Sequence, residues 1–244
     1  MHVLRARAGR AGCVILLIAG LAGCATRQPV LPAPGSAPAA PLFPSPRVGH
    51  PFDVVPAQSH LIVLVYRAGP LAALGHNHVI ACKCITGTVY LQPDRLRASF
   101  DLRVAVGQFT VDDPALRAAE HSADFPPDVT PSARQGTRHN MLSPALLNAA
   151  RFPDVTLRSA GLRHSSGGRP DDLIADVRVE ADGQVHSLSV PVRYRIEADE
   201  IVVTSRFPLK LTDLGLTPFS ALGGALRVRD GMKVRLELVA RRRG

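Results

Sequence analysis

Leu188, Val190, Val192, Tyr194 and Ile196 are apolar, and the residues between them are Ser189, Pro191, Arg193 and Arg195. A period of two places all the apolar side chains on one face of a strand and the others on the opposite, wet face. The pattern recurs. Phe100, Leu102, Val104 and Val106 alternate with Asp101, Arg103 and Ala105. Leu173, Ala175, Val177 and Val179 alternate with Ile174, Asp176, Arg178 and Glu180, and Val234, Leu236 and Leu238 with Arg235 and Glu237. Further apolar runs occupy His60–Tyr66, Val79–Leu91, Val155–Leu162 and Ile201–Leu209. Eight or nine strands with turn signals between them, such as Asp182-Gly183 and Ala198-Asp199-Glu200, indicate a barrel or sandwich.

Helical signals are confined to one stretch. Asp113 with Pro114 is a cap and first-turn pair for a helix running through Ala119 to His121, and Ser143-Pro144 predicts a second over Ala145 to Ala149. Both fall between the strand at Phe100 and that at Val155, so one long crossover carries two short helices. The fold class expected from the residues is mainly β, a barrel or sandwich. At 46% hydrophobic residues the chain has enough apolar material for a large core.

The first 50 residues read differently. Arg5, Arg7 and Arg10 precede the apolar run Cys13–Leu21, which is too short to span a bilayer and ends in Leu21-Ala22-Gly23-Cys24. That tetrapeptide resembles the lipobox of bacterial lipoproteins, which implies cleavage before Cys24 and lipidation of its thiol. Ala25 follows; by resemblance to Gram-negative lipoproteins, this implies an outer-membrane anchor facing the periplasm. Dense Pro, Ala and Ser up to about Arg47 read as an extended tether. The expected organisation is a signal at 1–23, a lipidated tether at 24–50 and a barrel domain at 51–241. The formal charge is +9, and three of those charges are Arg5, Arg7 and Arg10. Export argues against a nucleic-acid partner, which leaves a solvated Arg-rich surface.

Several segments together resemble the YceI-like family over Phe52–Arg241. These are Ser59-His60 ahead of a strand; Gly87-Thr88-Val89 with Leu91; Leu142–Leu147; Arg151-Phe152-Pro153-Asp154-Val155 through Ser159; Gly183–Val192; and Asp213-Leu214-Gly215, Pro218-Phe219-Ser220 and Gly224. The chain departs from better-known members at Gly69–Ile80, which reads GPLAALGHNHVI. The resemblance implies an antiparallel, eight-stranded lipocalin-like barrel with a hydrophobic tunnel that binds a long isoprenoid lipid or quinone. Inward parity then points to Phe100, Leu102, Val104, Leu188, Val190, Val192, Val203, Phe207 and Leu236 as lining, with Phe219 and the His76–His78 turn at the mouth. With no Trp, eight Phe and three Tyr, the lining is expected to be mostly aliphatic.

No catalytic constellation or cofactor motif is recognisable. Ser220 lies outside any Gly-x-Ser-x-Gly elbow, Asp112-Asp113 reads as a helix cap, and His121, His139, His164 and His186 are scattered. Two other readings compete with a lipid carrier. One is a structural or interaction lipoprotein with a filled barrel. The other is a metal or redox protein using His76, His78, Cys82 and Cys84, which share parity if the stretch is one strand. His76 and Cys84 would then lie about 26 Å apart, too far for one ion. A pair of them with a ligand from elsewhere, a Cys82–Cys84 disulfide, and two small buried cysteines all remain open. No metal site is assigned.

Overall fold

A computed structural model describes residues 47–244. The expected signal segment, the lipidation site Cys24 and the Pro-rich stretch up to residue 46 lie outside the described residues. The first half of the described chain holds β1 (His50–Val54), β2 (His60–Val65), β3 (Arg67–Ala68), β4 (His78–Cys82), β5 (Ile85–Leu91), β6 (Ser99–Ala105) and β7 (Thr110–Val111). The crossover carries α1 (Pro114–Ala118) and α2 (Pro131–Leu142). The second half holds β8 (Asp154–His164), β9 (Asp172–Ala181), β10 (Gln184–Glu197), β11 (Glu200–Lys210), β12 (Ser220–Ala221), β13 (Leu226–Val228) and β14 (Gly231–Arg242).

Hydrogen bonding runs β1-β5-β6-β8-β9-β10-β11-β14 and returns to β1, which closes an antiparallel eight-stranded barrel. Three of its staves are broken. β2 continues β1, β4 runs into β5, and β6 continues into β7; β14 pairs with β2 at Lys233–Glu237 and with β1 at Ala240–Arg242. Register puts the three breaks side by side, because Leu61 pairs with Cys82, Ile85 with Val104 and Ala81 with Thr110.

Local chemistry secures each break. Pro56 opens a 3-10 turn between β1 and β2, and the fully buried Ser59 bridges the gap. Its hydroxyl accepts from Val239 N (3.1 Å) and donates to Val55 O (2.9 Å), so the amides freed by the break keep partners. Cys82-Lys83-Cys84 forms the second break, with the two cysteines joined by a disulfide. At the third, Val106 N donates to Pro153 O (3.0 Å). The apolar run Val79–Leu91 is therefore two strands, not one, and the shared parity of His76, His78, Cys82 and Cys84 does not hold.

The tight β9–β10 hairpin turns where expected, with Asp182 and Gly183 both at positive φ (46° and 72°), as a two-residue hairpin loop requires. Gly87 in β5 is at φ +128°, and a Cβ there would stand 2.2 Å from Asp101 O, so the β5–β6 approach admits only glycine.

The crossover corrects one expectation. Asp113 caps α1 as anticipated, accepting from Ala115 N and Leu116 N. The second helix is Pro131–Leu142, capped by Thr130, and Ser143 caps its C-terminal end rather than starting a helix. Pro144–Ala149 makes turns instead, which drop Leu146 and Leu147 into the apolar cluster with Leu211 and Met232. Phe125 is buried against Leu64 and Val79 with Tyr66 and Leu116 around it, so the crossover covers the outer face of β2 and β4.

Candidate functional site

The barrel interior is a cavity of about 740 Å³, within the range of small-molecule binding sites. Its walls are nearly all aliphatic. Leu188, Val190 and Val192 from β10, Phe100, Leu102 and Val104 from β6, Val203 and Phe207 from β11, Leu236 from β14 and Phe219 all line it. The period-two faces thus turn toward one another across the lumen. This overturns the filled-barrel reading. Phe219 is 40% exposed, which puts it at the rim.

Sequence parity missed the walls supplied by the broken staves and by the cap. Leu61, Val63 and Ile80 face the lumen, but their strand neighbours Ile62, Leu64 and Val79 are apolar too. Met141, Leu146 and Leu147 close the end beside α2. Few polar groups reach the cavity. Arg95 and Tyr194 stand toward the end where β5 turns to β6 and β10 to β11; Thr137, Asn140 and Thr217 stand toward the other.

A compact polar cluster lies at the start of β4. His78 Nδ1 is 2.7 Å from Asp112 Oδ2, and His76 Nε2 is 3.6 Å from the same oxygen. The two imidazoles meet edge to face with centroids 4.6 Å apart. Arg117 Nη1 donates to Asp112 Oδ1 (2.6 Å) and Asn77 O (2.6 Å), while Val79 N donates to the same Oδ1 (2.9 Å). Asp112 and Arg117 are both fully buried. Burial alone would raise the Asp112 carboxyl, but hydrogen bonds from His78, Val79 N and Arg117 outweigh it and hold it below the usual carboxylate range. Burial, aided by the charge of His78, holds His76 below its ordinary value.

Asp112 is no helix cap. It stands at φ +54°, pairs its own N–H with Val79 O (2.8 Å), and leaves capping to Asp113. The cysteines are excluded from the cluster, since each is bonded to the other. Of His76, His78, Cys82 and Cys84, the cluster keeps the two histidines and joins them to Asp112.

A closed antiparallel barrel around an apolar lumen is the architecture of lipocalin-like binding proteins. Residues 83–240 match the family of YceI-like domains, and the chain belongs to that family. The crystal structure of Burkholderia cenocepacia BcnA is similar in fold. It has a TM-score of 0.55 and 14% identity, covering 77% of this chain and 99% of that one. A polyisoprenoid binding domain from Saccharophagus degradans, implicated in plant cell wall breakdown, gives 0.50 at 10% identity over 79% and 98%. No curated protein matches the chain.

Proposed function

We propose that this protein is an envelope lipoprotein, lipidated at Cys24, whose barrel takes up a long isoprenoid lipid or quinone and serves as carrier, buffer or sensor without catalysis. The observation that carries the reading is the apolar cavity of about 740 Å³. Staves of 10–14 residues at a rise of about 3.3 Å and a tilt of about 40° give a lumen roughly 25 Å long or more. Such a shape suits a slender chain, and every 100 Å² of apolar ligand surface buried contributes about 2.5 kcal/mol. The scarce polar groups at the two ends suit a head group that stays outside the greasy section. The polyisoprenoid binding domain of similar fold supports the same ligand class.

Purified full chain is extracted with organic solvent and the extract analysed by mass spectrometry, alongside uptake of added prenyl quinone and polyprenol. Recovery or uptake of about one lipid per chain is expected. An empty extract with no uptake of either probe sinks the proposal. Incorporation of labelled palmitate that is lost on Cys24→Ser tests the anchor.

A further inference from the structure

We propose that His76, His78 and Asp112 form a binding site for one divalent transition-metal ion of the zinc class, set in the wall of the barrel. Each residue offers one ligand atom, and the three atoms lie within 4.8 Å of one another. Two imidazole nitrogens and one carboxylate oxygen are a borderline donor set, suited to Zn²⁺ and its first-row neighbours rather than to Ca²⁺ or Mg²⁺.

The geometry is close to what the ion needs. Around a tetrahedral Zn²⁺ with bonds of about 2.0–2.1 Å, neighbouring donors stand about 3.3 Å apart. The observed separations from Asp112 Oδ2, 2.7 Å to His78 and 3.6 Å to His76, fall on either side of that value. The imidazole nitrogens lie within 4.8 Å of one another, and binding draws the two rings together around the ion.

Two further observations separate this cluster from an ordinary buried ion pair. His76 Nε2 is buried and has no hydrogen-bond partner among the described residues, although it points to within 3.6 Å of a carboxylate oxygen. A buried ring nitrogen left unpaired needs an explanation, and an ion between it and Oδ2 supplies one. The carboxylate is also divided between two tasks. Oδ1 is taken by Arg117 and Val79 N, whereas Oδ2 faces the two imidazoles. Holding one carboxylate oxygen and presenting the other is how outer-shell partners orient a metal ligand.

The backbone is pinned to match. Asn77, between the two histidines, accepts from Arg67 N (2.9 Å) and donates to Asp124 O (3.0 Å), which fixes the pair on one side of the chain. Without metal, a proton must lie between His78 Nδ1 and Oδ2; the ion takes its place. Three protein ligands leave a coordination position open. His78 also lines the cavity, so the ion sits where the barrel wall meets the lumen.

The test uses tag-free full chain stripped with chelator, with Zn²⁺ and Co²⁺ alone as probes. Calorimetry with Zn²⁺ is expected to show one saturable equivalent, and Co²⁺ to give visible d–d bands that Zn²⁺ abolishes. His76→Ala should weaken Zn²⁺ at least 100-fold with its metal-free unfolding midpoint unchanged, and His78→Ala should do the same to binding. His139→Ala, at an exposed position of α2, should leave binding intact. Absence of Co²⁺ bands and of saturable Zn²⁺ binding in the unmutated chain overturns the proposal without recourse to any variant. So does binding that survives in folded His76→Ala. Lipid uptake does not enter the readout, so the outcome is independent of the carrier reading.

Discussion

The two halves of the barrel are built differently. From β9 to β11, and in β14, the staves run 10–14 residues without a break, β8 carries a bulge at Ser159–Gly161, and inner apolar residues recur at every second position along β9 and β10. In the other half, three neighbouring staves are each cut in two at the same level. The continuous half supplies most of the aliphatic wall. The cut half supplies the disulfide, the buried Ser59 and the His76-His78-Asp112-Arg117 cluster. Regular alternation makes a featureless surface. Placing polar chemistry against an apolar lumen requires breaking the ladder and then rescuing its amides.

The sharpest way to break this contrast is to unbalance the polar cluster. Asp112→Ala leaves Arg117 fully buried without its carboxylate, and a loss of about 3–5 kcal/mol in urea unfolding is expected. A loss below about 1 kcal/mol would mean that the cut half tolerates an unpaired charge. Next comes the disulfide. Cys82→Ser with Cys84→Ser removes a very short covalent loop, for which chain entropy gives about 1.5 kcal/mol, measured against the wild type under oxidising conditions. In the continuous half, Val203→Phe adds volume toward an open lumen rather than a packed core. Stability should change by less than about 1 kcal/mol, while uptake of prenyl quinone falls at least tenfold.

The smallest effect belongs to the seam. Asp53 pairs with Arg243, and the Arg243 hydrogen bond chiefly holds its carboxyl below the usual range. Its contribution is therefore complete above the ordinary carboxylate pKa and lost as pH falls through the lowered one. Asp53→Asn should lower the unfolding midpoint slightly at neutral pH and not at all in strong acid. Because the pair is exposed, the shift will be slight even at its largest.

How far the sequence could be read follows the same divide. The continuous staves declare their inner face because Ser189, Arg193 and Arg195 lie on the other. In β2 the signal disappears: Ile62 and Leu64 are covered by Phe125 and Leu116 from the crossover, so both faces are apolar. Nothing in Val79–Leu91 marks a break except Lys83. Asp112 and Asp113 are chemically identical neighbours, and only the backbone decides that one caps a helix while the other turns inward. Its partner His78 lies 34 positions away. Ser143-Pro144 satisfies the rules for a helix start, yet Thr130-Pro131 satisfies them equally; the helix follows Thr130, and Leu146 and Leu147 pack into the apolar cluster from turns.

The closing strand has one more consequence. β14 joins β11 on one side and both β1 and β2 on the other, and across that seam Arg243 reaches Asp53, 190 positions earlier in the chain. During synthesis, the barrel therefore cannot close until β14 has been added. Two unsatisfied edges and a greasy concave surface stay available to other chains for that whole interval. Contacts of such long range are slow to form, so what guards this protein against aggregation must act before its barrel exists.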